Sequence, residues 1–515
     1  MSSSPGPLPS TSSAPLRVCV DLTEVRPGGE TGGAKYMVFE FLRHIGEKHA
    51  AEFQWVFVTS SANHHEIRRS LARMGDELVC LVKEPVPVDP PAAGGLPSQR
   101  ACFTDWDDLL LERRIDLFYF PFGKGIARLP GIPAICLIVD LLHRDYPFTL
   151  CEADRVCREA HFEESVRTSD FFQCISHFAM QRLHEEYGVP RERIFNTYIP
   201  IQQRLKASAE GETGGAPQGP FFYYPANFWP HKNHEVLLLA YRLYARRNGA
   251  AAWPLVLTGY VDRRTRHLEE LARILGIDSL VHFKGYVAEA ELDRLWRSAG
   301  AMVFPSLHEG FGIPLVEAMH YGVPIVAGKI FSAPEICGEA CLYTDVKKPE
   351  SLADAMQRLA GDGALRKALA DEGTRRLTLF RFDHEVNGLV EILRKAAAGW
   401  ARPHGRGIEK DGWIRRDAVL ALPKMAGRVR LSVSLDAELP AGRLVCWAGT
   451  KPLGSFDQVD LKSGTITARF LGPERNLRLR VLRRTDSPED QGVRIREIAL
   501  SDEEGRSHVV WPLKA

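Results

Sequence analysis

Short, nearly continuous apolar runs alternate with amphipathic stretches from Leu16 to about Pro200: LRVCVDL, QWVFVTS, LVCLVKE, DLFYFP, AICLIVD and FFQCIS. A strand covered by helices on both faces needs this kind of run, so the pattern predicts a parallel, doubly wound sheet over residues 16–204. Residues 205–220, which contain KASAEGETGGAPQGP from Lys206 to Pro220, lose all periodicity and concentrate Gly, Ala and Pro, which predicts an exposed linker. A second alternation follows over 221–380, through FFYYPAN, PLVLTGY, VHFKGYV, AMVFPS, PIVAG and CLYTD. Two similar Rossmann-like α/β halves are therefore expected to face each other, with a helical stretch at 381–400 after the second.

Beyond Trp400 the period changes. ARPHGRGIEKDG is polar and Gly-rich, and 401–411 reads as a second linker. Val429, Leu431, Val433 and Leu435 then alternate with Arg428, Arg430, Ser432 and Ser434, and Leu477, Leu479 and Val481 alternate with Arg478 and Arg480. Strict alternation buries one strand face, so 412–515 is expected to be an antiparallel β-sandwich. Trp447 and Trp511 are expected in its core, with stacking on sugar rings as the alternative role.

Composition removes several classes of function. The chain has 515 residues, and its 66 Lys+Arg against 65 Asp+Glu supply no bulk attraction to a polyanion, so nucleic acid is not an expected partner. Ten cysteines are scattered without a CxxC pair, and the Cys151–Cys157 and Cys337–Cys341 spacings match no zinc template. A reducing, cytoplasmic setting fits. Residues 1–15 are Ser/Pro-rich without an apolar stretch and read as a disordered tail. The most apolar segment, Ile132 to Leu142, carries Asp140 and is shorter than the roughly 20 residues of a spanning helix.

The densest candidate chemistry is HEGFGIPLVEAM, His308 to Met319, directly after the run AMVFPS. A strand, a glycine-containing loop and a helix opening near Pro314 form an anion site, because the first turn of a helix presents unpaired N–H groups and a favourable dipole. Gly310 and Gly312 would let a ligand approach the backbone. Glu309 and Glu317 border the same pocket. A carboxylate beside an anion site suits a ligand that also donates hydrogen bonds, as sugar hydroxyls do, and that combination points to a nucleotide sugar.

Glu309 and Glu317 match the E-x7-E signature of family 4 retaining glycosyltransferases, and the chain from about Leu16 to Trp400 resembles that family. FYYPANFWPHKNHEVLLLAY, Phe222 to Tyr241, is similar to the segment opening its donor domain, and SAPEICGEACLY, Ser332 to Tyr343, to a later motif. The resemblance implies the GT-B fold and transfer from a nucleotide sugar to a glycan or lipid-linked acceptor in bacterial surface polysaccharide synthesis. It makes GDP-mannose or a deoxysugar nucleotide the first donors to consider, and allows peripheral association with the inner face of the cytoplasmic membrane. By resemblance, Glu309 lies beside the transferred sugar, Glu317 binds the ribose and Lys232 binds the diphosphate. Gly310, Phe311, Gly312 and Ile313 line the donor site with Asn227 and Tyr286, and Gly32 and Gly33, in the loop RPGGETGGAK, face it across the cleft.

Two departures stand out. Many family members carry an arginine at the end of the strand before Lys232, where this chain has PAN, so phosphate charge is expected to rest on Lys232, His231 and the helix after Ile313. A family His-Asp pair reads Val139-Asp140 here, leaving Asp140 as a catalytic candidate and His143 as a replacement imidazole. Ser176 reads as a helix N-cap. Asp105-Trp106-Asp107 reads as helix capping rather than a metal-binding DxD, GKG at 123–125 as a turn, and His64-His65 and His231/His234 lack further ligands, so neither a metal nor a cofactor is expected. The competing readings are a noncatalytic carbohydrate-recognition protein and a GT-B epimerase or phosphorylase.

Overall fold

A computed structural model of the chain describes residues 14–27, 33–73, 75–81, 110, 113–123, 129–200 and 219–399, and then 405–406, 413–414, 417–422, 427–435, 442–448, 451–456, 465–471, 476–483, 493–502 and 504–511. Most of the expected tail, the glycine at position 32, most of the 205–220 stretch and the Asp105-Trp106-Asp107 sequence lie outside these residues.

The first apolar runs form strands β1 (Leu16–Asp21), β2 (Phe53–Ser60), β3 (Glu77–Leu81), β4 (Leu117–Phe120), β5 (Ala134–Ile138), β6 (Phe171–Cys174) and β7 (Ile194–Asn196). They pair in the order β3-β2-β1-β4-β5-β6-β7, all parallel. The second set is β8 (Phe222–Pro225), β9 (Leu255–Thr258), β10 (Val281–Phe283), β11 (Ala301–Phe304), β12 (Ile325–Gly328) and β13 (Cys341–Thr344), ordered β10-β9-β8-β11-β12-β13 and again all parallel. Strands such as β4, β5, β9 and β11 are buried at every position, the burial that a helix layer on each face produces. In both sheets the strand order reverses beside the first strand. The loops at the carboxyl ends of β8 and β11 therefore flank a crevice, the place where doubly wound sheets bind ligands.

The helix Phe382–Ala398 returns to the first domain. It buries Val386, Leu389, Val390 and Leu393, sets Phe382 edge-on to Phe41 with centroids 5.9 Å apart, and pairs Arg394 with Glu52 at 2.5 Å. Among the described residues no helix is long and apolar enough to cross a membrane.

The last part of the chain forms two antiparallel sheets. One is ordered β14-β16-β21-β18-β19 and the other β15-β22-β17-β20 with β23 on β22, where β14 is Gly405–Arg406, β15 Trp413–Ile414, β16 Asp417–Ala421, β17 Arg428–Leu435, β18 Gly442–Ala448, β19 Lys451–Phe456, β20 Thr465–Leu471, β21 Asn476–Arg483, β22 Val493–Ser501 and β23 Ser507–Trp511. Leu420, Leu444, Cys446, Leu477 and Leu479 from one sheet meet Val429, Leu431, Val433, Ile498 and Leu500 from the other in a single core.

Two sequence expectations change here. Gly405 and Arg406, inside the stretch read as a linker, pair with Leu420 and Val419, because a two-residue edge strand contributes backbone bonds without apolar periodicity. Trp447 is not in the core. Leu444, Cys446 and Ala448 are fully buried while Val445 and Trp447 are half-buried, so the two-residue period puts the tryptophan on the outer face of its sheet, opposite Arg478.

Candidate active site at the interdomain cleft

The loop after β8 and the loop after β11 are stitched together before any charge is considered. Leu307 N–H donates to the His231 carbonyl (2.7 Å), and the Tyr224 hydroxyl lies 3.1 Å from the Lys232 carbonyl and 2.8 Å from Ser306 Oγ. Asn233, in the left-handed region at φ 62°, sends its amide to the carbonyls of Pro305 (3.1 Å) and Val346 (2.8 Å). These bonds carry Lys232 Nζ to 2.6 Å from Glu309 Oε1, with both side chains largely covered, at 14% and 16% exposure. Burial pushes the Glu309 carboxyl up. The Lys232 ammonium, the nearby His231 and the Ser306 hydroxyl more than offset that, so Glu309 is held below the usual carboxylate range and ionised.

The rest of the HEGFG loop turns inward at defined points. Ser332 Oγ lies 3.0 Å from the carbonyls of both Glu309 and Phe311 and shares its one hydrogen between them. Gly312 takes φ 91°, which only glycine adopts without strain, and opens the helix Ile313–His320, whose first turn has no side-chain cap. Glu317 lies in that helix at 6% exposure, close enough to Tyr223 and Tyr321 for its charge to raise both phenols, after burial, which raises them most.

The first domain closes over this loop. Ser176 Oγ donates to the Gly310 carbonyl at 2.6 Å while also capping its own helix through Ala179 N–H (3.0 Å), so it is an N-cap and an interdomain contact at once. Glu335 accepts from the amides of His177 (2.7 Å) and Phe178 (2.9 Å), a carboxylate of the second domain at a helix N-terminus of the first. A Cβ on Gly310 would fall 1.7 Å from the Val139 carbonyl oxygen, and one on Gly33 2.2 Å from Ile313 Cδ1. Asp140, next to Val139, accepts from Leu142 N–H at 3.0 Å and has Arg158 at 3.6 Å. Burial raises its carboxyl, but Arg158, His308 and His231 bring it below its ordinary value. Asp140 and the Lys232–Glu309 pair therefore share one electrostatic neighbourhood.

Several expected ligands are placed otherwise. The Phe311 ring is buried against Tyr198 (6.0 Å) and Phe380 (5.8 Å) and packs the hinge side of the loop. Asn227 Oδ1 accepts from Tyr260 N–H at 2.9 Å, tying two loops of its own domain. Tyr286 is 67% exposed on the loop after β10, at the rim with Tyr260 and Val261 rather than with Lys232 and Glu309. His143 is buried, with Nε2 2.8 Å from the Tyr187 hydroxyl and its ring on Phe162, inside the first domain and not at the cleft. Burial, then Lys232, lowers His231 to about 4, so it is neutral at pH 7 and adds no charge for a phosphate. Sequence reasoning missed Ser306, Ser332, Glu335, Asp145, Arg182 and the role of His308. Only His308, adjacent to Glu309, carried a local signal.

Residues 210–376 match the family model for glycosyl transferases group 1. The chain is 27% identical, over 44% of its length, to the O-antigen chain mannosyltransferase B of Escherichia coli, and 31% identical, over 34%, to the D-inositol 3-phosphate glycosyltransferase of Rhodococcus opacus. It spans 61% and 41% of those relatives' own lengths. Among solved structures it is similar to Anabaena Alr3699/HepE in complex with UDP and glucose (TM-score 0.55, 15% identity, 74% of this chain and 100% of that one) and to WaaG, a glycosyltransferase involved in lipopolysaccharide biosynthesis (TM-score 0.52, 17%, 74% and 100%). Two parallel doubly wound sheets facing a cleft, shared with these structures, make the fold GT-B.

Proposed function

We propose that the chain is a retaining glycosyltransferase moving a sugar, mannose in the first instance, from a nucleotide-sugar donor to a glycan or lipid-linked acceptor of a surface polysaccharide. The observation that carries this reading is the largely covered Lys232–Glu309 pair at the crevice of the second sheet, beside an uncapped helix N-terminus and in one electrostatic neighbourhood with Asp140. Burying an ion pair is costly, and removing either partner leaves an uncompensated charge, so a structural site gains little from it while a diphosphate-sugar site gains a cation and a hydroxyl acceptor together. The group 1 match and the mannosyltransferase named among the relatives support the reaction class and the sugar.

In this reading Lys232 and the first amides of the Ile313 helix meet charge growing on the departing diphosphate, a preorganised electrostatic contribution. Glu309, ionised and fixed by Lys232, accepts hydrogen bonds from the sugar hydroxyls and positions them. Glu317 meets the ribose. The acceptor hydroxyl attacks on the face the diphosphate leaves, and the diphosphate takes its proton. The same cation and dipole serve at the diphosphate where other transferases use a divalent ion, so turnover is expected to survive EDTA.

A panel of GDP- and UDP-sugars, assayed for thermal stabilisation and hydrolysis, tests the reading, with NMR of the released or transferred sugar for configuration. GDP-mannose is expected to stabilise the chain and to yield the α-anomer. Inertness toward every donor would favour a carbohydrate-recognition role, and an inverted product or strict dependence on Mg²⁺ or Mn²⁺ would overturn the mechanism.

A further inference from the structure

Both residues flanking Glu309 are held by the first domain. On one side His308 Nε2 lies 2.9 Å from Asp145 Oδ2, and the two side chains are 2% and 4% exposed. Asp145 is in turn bound by Arg182 at 2.7 Å, and Arg182 is bound by Glu185 (2.8 Å) and Glu186 (2.5 Å) on its own helix. On the other side Gly310 offers its carbonyl to Ser176 Oγ at 2.6 Å. The imidazole is enclosed by rings from both domains: Phe331 at 4.7 Å from the second, and Phe178 at 6.3 Å from the first. Phe331 itself meets Tyr146 (5.6 Å) and Phe178 (5.5 Å) across the cleft, and it stands in the left-handed region at φ 53°. A phenylalanine in that conformation is strained, and its neighbours must hold it there.

None of these groups is needed to build the Lys232–Glu309 pair, which the second domain assembles by its own bonds. What they determine is where Glu309 stands relative to the first domain. The geometry points to Asp145 as a positioning residue that acts through His308: Asp145, presented by Arg182, captures the His308 imidazole when the cleft shuts and sets the Glu309 backbone, so that Glu309 reaches its working orientation only in the closed form. Closure would then be coupled to turnover rather than to donor binding, which limits reaction of the bound donor with water while the cleft is open. This inference rests on the donor-site reading above.

The test uses the full chain and the variants Asp145→Ala, Asp145→Asn, His308→Ala and the double alanine. GDP and UDP affinity is measured by calorimetry, and kcat and KM are measured with the nucleotide sugar that the wild type turns over. Asp145→Ala and His308→Ala are each expected to lower kcat by about 10- to 100-fold while KM and nucleoside diphosphate affinity stay within about threefold, the split produced by losing an arrangement needed only in the transition state. The double variant should be no slower than the slower single one, because the two side chains act as one unit. Asp145→Asn, which keeps its one oxygen on Arg182 and can donate its amide N–H to Nε2 of the neutral imidazole, should recover most of the rate. Additive losses, losses confined to KM, or an unchanged kcat would each overturn the coupling. Hydrogen exchange separates this from failure of the donor-site reading. The amides of His177 and Phe178, bonded to Glu335 across the cleft, should exchange faster in both alanine variants even if no donor is ever turned over, and unchanged exchange there would also overturn the inference.

Discussion

Replacing Gly310 by alanine should disable the cleft without unfolding either half of the protein. Gly310 is not among the glycines at positive φ, so an alanine suits its backbone locally. The obstacle is across the cleft, where the new Cβ would sit 1.7 Å from the Val139 carbonyl oxygen, a backbone atom that no rotamer change can move. Reaching even a 3.0 Å contact requires about 1.3 Å of retreat, which, taken along the Ser176 hydrogen bond, stretches it from 2.6 Å to about 3.9 Å, past bonding range. Losing that bond and loosening the two amide bonds to Glu335 makes the closed form less favourable by about 2 kcal/mol, or about 30-fold in population. The expected outcome is kcat lowered by up to about that factor with the thermal midpoint within about 3 °C of wild type. Gly33→Ala is the internal control. Its Cβ meets only the tip of Ile313 at 2.2 Å, and a rotamer change costing about 1 kcal/mol relieves it, so its effect should be a few-fold. A Gly310→Ala enzyme with wild-type kcat would refute the close approach of the two domains as a condition of turnover. A large loss of thermal stability would show that the contact belongs to the core instead.

Lys232→Met should cost about 2 kcal/mol of stability by leaving Glu309 covered and unpaired, measured by chemical denaturation, and adding Glu309→Gln should restore the stability but not the activity. Burial raises Glu385 to about 7 from an ordinary 4.5, against the opposing bond from Tyr198 N–H at 2.7 Å. The folded state therefore holds this proton where the unfolded chain releases it, so its contribution is full below pH 4.5 and is lost as pH rises to 7. Glu385→Gln, which can still accept from Tyr198, should flatten that slope and stabilise the protein at pH 8 by at most about 3 kcal/mol; a variant with an unchanged pH–stability curve would contradict the burial argument. A chain ending at Ala401 should remain folded with its own cooperative transition, since the core of the last two sheets is a separate cluster from the one beneath the cleft, and a collapse of the GT-B part would show that the two depend on each other.

Most of the architecture was readable from apolar periodicity because period alone decides which faces are covered. Runs such as AICLIVD, apolar at successive positions, can be satisfied only between two layers, and β5 is buried at every position. Trp447 shows the limit of residue type as a guide. Its size suggests a core position, but its parity with Val445 and against Cys446 placed it outward, and parity is the stronger constraint in a strand. Within the site, Lys232, Glu309 and Asp140 were named from their places in the family motifs, and the structure puts them on the loops that follow β8, β11 and β5. Asn227, Phe311 and Tyr286 were carried by motif position, and the structure gives the first two to internal contacts and the third to the rim. Asp145–His308, Ser176–Gly310 and Glu335–His177 join residues 163, 134 and 158 positions apart, and no local pattern encodes a contact that exists only once two domains meet.

The missing arginine at Asn227 takes on a different meaning in this geometry. An imidazole at position 231 looks like a substitute cation in the sequence, but its burial beside Lys232 keeps it neutral, and Asn227 is occupied by Tyr260 N–H. In the loop from Ala226 to Asn233, Lys232 is thus the one full positive charge, and Glu309 holds it at 2.6 Å. A diphosphate entering this site must draw the ammonium away from the carboxylate or share it, and either course leaves Glu309 with acceptor capacity for the sugar hydroxyls that arrive with the phosphate. The pair would then act as an exchange in which the donor's anion takes up the lysine and its hydroxyls take up the glutamate, so that neither charge is ever buried alone. This explains how a loop with Lys232 as its one full positive charge can hold a carboxylate at its centre. It also requires Lys232 and Glu309 to couple more strongly in donor binding than in folding.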